Sequence, residues 1–208
     1  MTLTTCLSLL PFAMISACSA DPGTRPSDMG APAHDATARK LDTEAATAGA
    51  IDPKRADTDR KLAAEHRTAS LELTREEAAA CDGVPVSTRD ECPIRRGEGV
   101  VEVTELLSLI DGKTEGGARM VGASVTVVET GQRTKDGMER LVACNLARTA
   151  ERGEPPVQAA SCPLAVHGAK ATVHKTSRGL RIDIHGDDGD HAKEILRRAS
   201  SLVPPKNP

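Results

Sequence analysis

Almost no aromatic side chain is present in this chain. Trp and Tyr are absent, and the single Phe is Phe12. A core must therefore be filled by Val, Leu, Ile, Ala and Met, the larger of which contribute about 1.5–3 kcal/mol each on full burial. The 208 residues suit one domain plus targeting and linker segments. A domain of that size built without aromatics has a thin stability margin. The same lack bears on function. Single-stranded nucleic acid is usually held by bases stacked on aromatic platforms, and quaternary ammonium groups by aromatic cages. The net charge of −3 supplies no field to steer a polyanion. Arg95-Arg96 and Arg197-Arg198 are too short to act as basic patches. Nucleic acid is not expected as a partner.

The amino-terminal stretch is apolar at Leu7, Leu9, Leu10, Phe12, Ala13, Met14 and Ile15. It is shorter than the ~20 residues that span a bilayer and matches the apolar region of a signal peptide. Ile15-Ser16-Ala17-Cys18 follows directly. This resembles the lipobox of bacterial lipoproteins, which implies a signal peptide over 1–17, cleavage before Cys18, and acylation of its thiol and new amino group. Several acyl chains give stable anchoring, at about 0.8 kcal/mol per buried methylene. Against the pattern, no Lys or Arg precedes Arg25. The alternative is cleavage after Ala20, with Cys18 and Ala20 as the small residues of an ordinary site, giving a soluble secreted protein. Ser19, rather than Asp, follows the cysteine. By the sorting habits of lipoproteins, that points to the outer membrane or periplasmic face.

Residues 18–50 are rich in Ala, Thr, Asp, Pro and Gly. With few large apolar groups they are expected to form a disordered tether, spanning roughly 30 Å as a flexible coil. A helical segment is expected over 51–82. Pro53 suits a first turn, Gly83 closes it, and Thr74-Arg75-Glu76-Glu77 resembles a capping box where it could break. Its apolar face is meagre: Leu62, Ala69, Leu73, Ala80.

An α+β domain is expected over 83–203, followed by a tail over 204–208. Strands are read at Val100-Val101-Glu102-Val103, at 123–128, at Ala171-Thr172-Val173-His174 and at Leu180-Arg181-Ile182-Asp183-Ile184. The last two are joined by Ser177-Arg178-Gly179. A helix opened by Asp136-Gly137-Met138-Glu139 carries Met138, Leu141, Val142 and Leu146 on one stripe. Another, preceded by Asp187, Asp188 and Asp190, carries Ala192, Ile195, Leu196, Ala199 and Leu202. The expected architecture is an N-terminal helix, then an antiparallel sheet with helices on one face, in the order ββα-ββα. Two local echoes point to an internal repeat: Cys92-Pro93-Ile94 with Cys162-Pro163-Leu164, and 122–127 with 168–173, although the two cannot share one alignment.

The stretch from Ala80 to Ala199 is similar to a family of uncharacterised bacterial exported proteins. The likeness is carried by Ala80-Cys81-Asp82-Gly83-Val84-Pro85 with Arg89-Asp90, by 140–148 around Cys144-Asn145, by Cys162-Pro163-Leu164, and by Glu194-Ile195-Leu196-Arg197-Arg198-Ala199. The resemblance implies no particular activity. Similar sequences often carry His after the helix cysteine, and here Asn145 stands there, so a metal site of the family would be lost.

Besides Cys6 and Cys18, four cysteines remain: Cys81, Cys92, Cys144 and Cys162. In an exported chain they read as two disulfides with three connectivities open. Each bridge would add about 2–4 kcal/mol. Spacings of ten and seventeen intervening residues do not form C-x-x-C. Asp183, His185, Asp187 and Glu194 fall on places of a calcium loop, but Asp188 replaces the required glycine, and acidic helix capping explains them better. Among His167, His174, His185 and His191, only His174 and His185 are weak metal candidates, as a pair across the hairpin; no third ligand is evident. Gly112-Lys113-Thr114 lacks the first glycine of a phosphate loop. Gly122-Ala123-Ser124-Val125-Thr126 lacks the closing glycine of a nucleophile elbow.

The expected function is that of a lipid-anchored envelope protein. Its folded part is a non-enzymatic binding or structural module, its partners are the membrane and an unidentified envelope protein, and it needs no cofactor. The rival is periplasmic metal or thiol handling through Cys144, Cys162 and nearby histidines.

Overall fold

Alanine is the residue with no side-chain entropy to lose in a helix, and residues 31–48 carry it repeatedly. A computed structural model describes residues 26–95, 99–109, 117–130, 133–153 and 161–203. The expected signal peptide, Cys18 and the tail lie outside the described residues. Two helices come first: α1 (Ala31–Ala48) and α2 (Pro53–Ala80), which opens on the Asp52 carboxylate accepting from the Arg55 N–H at 3.1 Å. The four-residue link makes them antiparallel neighbours. Ala31, Ala38 and Ala45 of α1 are buried, as are Ala56, Ala63 and Ser70 of α2. All recur every seventh residue. His34 and Asp59, three residues on from Ala31 and Ala56, are also buried. This is a heptad pattern with small residues at one core position, and an ion pair from Arg67 to Asp42 crosses it.

The disordered tether expected over 18–50 is thus corrected over residues 31–48, which form a helix. The composition argument weighed large apolar groups. Here the buried stripe is alanine, which drives little transfer energy per residue but lets two backbones approach closely. The expected break near Thr74 is absent too, since α2 runs through it and Thr74 Oγ1 donates to the Ser70 carbonyl at 3.0 Å.

The sheet follows. Strands β1 (Val100–Leu109), β2 (Ala118–Val127), β3 (Lys170–Thr176) and β4 (Gly179–His185) pair antiparallel in the order β1-β2-β4-β3. Helix α3 (Lys135–Arg152) comes between β2 and β3, and α4 (Gly189–Ser200) after β4. The class is α+β. Among the described residues two α-helices, not one, precede the sheet. From β1 onward the chain makes two hairpins, each followed by a helix, and the inner strands β2 and β4 join the hairpins. Helix α3 starts one residue earlier than its acid-led motif, because Thr134 caps it by accepting from the Gly137 N–H at 3.2 Å. Asp188 caps α4, accepting from the Asp190 and His191 N–H groups at 2.9 Å each.

Alternation puts Ala123, Val125 and Val127 of β2 and Leu180, Ile182 and Ile184 of β4 on one face. They pack with Met138 and Val142 of α3 and with Ile195 and Ala199 of α4. Two glycines let β2 and β4 close at both ends. A Cβ on Gly122 would lie 1.9 Å from the Ile184 carbonyl oxygen, and one on Gly179 would lie 2.2 Å from the Val127 carbonyl oxygen. Gly122 also sits where the β1–β2 register shifts between Leu106 and Leu107, so the strand bends there.

Cross-links brace the elements. Disulfides join Cys81 to Cys144 and Cys92 to Cys162, across sequence separations of 63 and 70. On the chain-entropy account, loops of that length give about 4 kcal/mol each. The first bridge ties the end of α2 to α3. Beside it, Arg148 of α3 reaches Glu77 at 2.7 Å and Asp90 at 2.6 Å. The second bridge joins one echoed Cys-Pro-apolar segment to the other, with Ile94 and Leu164 buried in the same core. The other echo matches inner strand β2 to outer strand β3, so it does not relate equivalent parts. Glu194 holds Arg197 and Arg198, and Arg198 in turn donates to the Ala165 carbonyl at 2.8 Å.

Two outcomes are expected. Gly122→Ala will lower the urea midpoint by about 1–3 kcal/mol of stability or more, because backbone rather than a side chain must move; an unchanged midpoint refutes the close-approach account. The hydrogen bonds from Arg197, then Arg198, hold the Glu194 carboxyl down to about 2 from 4.5. A carboxyl with a depressed folded value stabilises above pH 4.5, and that contribution is lost as pH falls from 4.5 toward 2. Acid titration of Glu194→Gln will therefore show a shallower loss of stability across that window than the parent chain.

Candidate functional site

Helices cover one face of the sheet, so the residues at alternate positions form an open opposite face. Register places Thr104 beside Ser124, Ser124 beside Asp183, and Asp183 beside Thr172; Glu102 stands by Thr126, and His174 by Arg181. Hydroxyls and charges line this face because the strands alternate apolar and polar residues. At its centre is Asp183, buried at residue level. Its carboxylate accepts from Ser124 Oγ at 2.6 Å, forms an ion pair with Arg181 at 3.2 Å, and lies 3.5 Å from His174 Nε2. Arg178, in the β3–β4 turn, pairs with Glu102 of β1. Glu102, Ser124, Arg178, Arg181 and Asp183 line a shallow depression of about 380 Å³.

The Ser124 hydroxyl and the Arg181 guanidinium against this carboxylate offset the cost of burying a charge. Among the described residues the hydrogen-bond partner of the Ser124 hydroxyl is the Asp183 carboxylate rather than an imidazole. Strand β2 pairs on both sides, so its amides serve the ladders. The face therefore offers fixed hydroxyls, two guanidinium groups and an imidazole, a set suited to polar recognition.

The weak metal pair His174 and His185 is corrected by the register. His174 sits across from Arg181 and His185 across from Lys170. They share a face, but four strand residues separate their levels, about 13 Å at the usual rise. The calcium-loop reading fails as well. Asp183 belongs to the sheet cluster, Asp188 caps α4, and Glu194 is bound by Arg197 and Arg198. Asp187, Asp188 and His191 do bring ligand atoms within 4.8 Å of one another. They sit on the positive end of α4, and Asp187 hydrogen-bonds His191, which raises the imidazole pKa.

All four disulfide candidates are bonded, and the pairing is Cys81–Cys144 and Cys92–Cys162. The segments around Arg89, Arg148 and Arg198 have bracing roles. Arg89 Nε donates to the Val84 carbonyl at 2.9 Å, Arg148 bridges Glu77 and Asp90, and Arg198 ties α4 to the segment after Cys162. Asn145 is buried beside them. Sequence reading missed His34 and His66, whose Nδ1 atoms lie 2.7 Å apart between α1 and α2. The heptad spacing of alanines was the signal that could have found them.

Asp183→Ala leaves the Ser124 hydroxyl and Arg181 without their acceptor. It is expected to cost about 1–3 kcal/mol in denaturant unfolding, whereas a loss within error would show that the cluster is solvated and unstrained.

Comparison with known proteins found no matching family model, no matching curated protein and no matching solved structure.

Proposed function

We propose that the chain is a lipid-anchored cell-envelope protein whose folded domain is a non-enzymatic binding or structural module. The observation that carries the reading is the pair of disulfides between distant segments, Cys81–Cys144 and Cys92–Cys162. Such bridges persist where the redox environment is oxidising, and they are compatible with an exported protein. Among the described residues no helix is long and apolar enough to cross a membrane. Attachment through Cys18, after a signal over 1–17, supplies the membrane contact in this reading.

Binding is assigned to the open sheet face around Asp183, Arg178 and Arg181. Its donors are held by neighbours rather than aimed at a reacting atom. The rival, metal or thiol handling through Cys144 and Cys162, has less support, because a bonded cysteine offers no thiolate to a metal or to exchange chemistry.

The test is the intact mass of the mature protein from its native host, with and without reduction. The expected result is a chain starting at Cys18, carrying acyl groups, that gains two hydrogens per bridge at Cys81–Cys144 and Cys92–Cys162 on reduction. A chain starting at Asp21 would replace the anchor with secretion. An unprocessed chain with every thiol free would remove both export and bracing.

A further inference from the structure

The α1–α2 hairpin places two imidazoles face to face. His34 and His66 come from different helices, 32 residues apart, and their Nδ1 atoms lie 2.7 Å from each other with ring centroids 5.0 Å apart. At that separation one Nδ1 carries a proton and the other accepts it, so each ring aims an Nδ1 at a single point. His34 is 7 % exposed and sits on the buried stripe with Ala31 and Ala38. Burial, then the neighbouring His66, lowers its pKa, with Asp35 acting in the opposite sense. The neutral imidazole is the metal-binding form. Arg67, next in sequence to His66, is paired with Asp42 of α1.

We propose that His34 and His66 form a cross-helix site for a borderline transition-metal cation, zinc(II) or copper(II), held between their Nδ1 atoms, with the hydrogen-bond donor ring moving its proton from Nδ1 to Nε2 so that both Nδ1 lone pairs face the ion. The geometry is close to what such an ion needs. Two imidazole nitrogens at about 2.0–2.1 Å from a tetrahedral zinc stand about 3.3 Å apart. The two rings must therefore open by about half an ångström, a motion within the reach of small side-chain rotations. Water fills the remaining positions of the ion. Because the ligands belong to different helices, the metal cross-links the hairpin, and its binding energy adds to hairpin stability. Protons compete for the same nitrogens, so binding weakens as pH falls through the imidazole range. The site is independent of the sheet face and of the lipid anchor.

The experiment uses the full oxidised chain with zinc(II) or copper(II) as the only added ion. Thermal unfolding followed by far-ultraviolet circular dichroism should move to higher temperature with saturable dependence on metal. At a free ion concentration ten times the dissociation constant, the unfolding equilibrium should shift about elevenfold. His34→Ala and His66→Ala should each abolish that shift, while His191→Ala, which alters the acidic cluster at α4, should leave it intact. The alanine replacement at 34 extends the alanine stripe, so that variant keeps its helices. Copper(II) resonance spectra of the parent chain provide a second measurement that needs no variant at the pair, and coupling to two imidazole nitrogens is expected. The proposal is overturned if neither ion shifts the parent's unfolding, if the shift survives both substitutions, or if His191→Ala alone removes it.

Discussion

Aliphatic packing between the paired inner strands and the two sheet-covering helices is the interaction on which the rest depends. Without aromatic rings, no single side chain can fill a large gap. The core is instead assembled from Val, Ile, Leu, Ala and Met at close approach, with Ile182, Ile184 and Ile195 fully buried. Close approach demands glycine wherever backbones meet. That is why Gly122 and Gly179 stand at opposite ends of the β2–β4 ladder, and why Gly30, at the start of α1, lies against Arg152 and Gly153 at the end of α3. Small contacts of this kind give little energy each, so the fold leans on covalent and ionic bracing.

That bracing is concentrated where the elements change direction. The end of α2, the middle of α3 and the loop at Asp90 meet at the Cys81–Cys144 bridge and the Arg148 pairs. Arg148 is partly desolvated by its surroundings, yet its two carboxylate partners keep its pKa raised. The second bridge, from Cys92 to Cys162, links the lead-in segments of the two hairpin-plus-helix units. The Arg89, Arg148, Cys162 and Arg198 positions fall on or beside these junctions. Their common property is to hold distant segments together, which is a structural role.

Two surfaces remain after the core and its braces are accounted for. One is the open sheet face, organised around the Asp183 carboxylate with Ser124 and Arg181 against it. The other is the helical hairpin, whose buried line of alanines is interrupted by a histidine pair. Both follow from covering only one side of the sheet and from using small residues where two helices touch.

Much of the sheet domain was legible in the residues themselves. Alternation in 180–184, the acidic lead-in of α4 and the β-branched run at 123–128 each set a local period that survives in the folded chain. Local period is a property of neighbouring side chains, so one sequence is enough to read it. The alanine helix over 31–48 was hidden, because its stripe is visible only once a second helix is laid against it. The same holds for what lies far apart in sequence: which cysteine meets which, that His174 and His185 miss each other, and that His34 finds His66. Those outcomes depend on strand order and register, and on how two helices settle into contact. They are decided when the whole chain closes on itself, since no residue carries the position of a partner thirty or seventy places away.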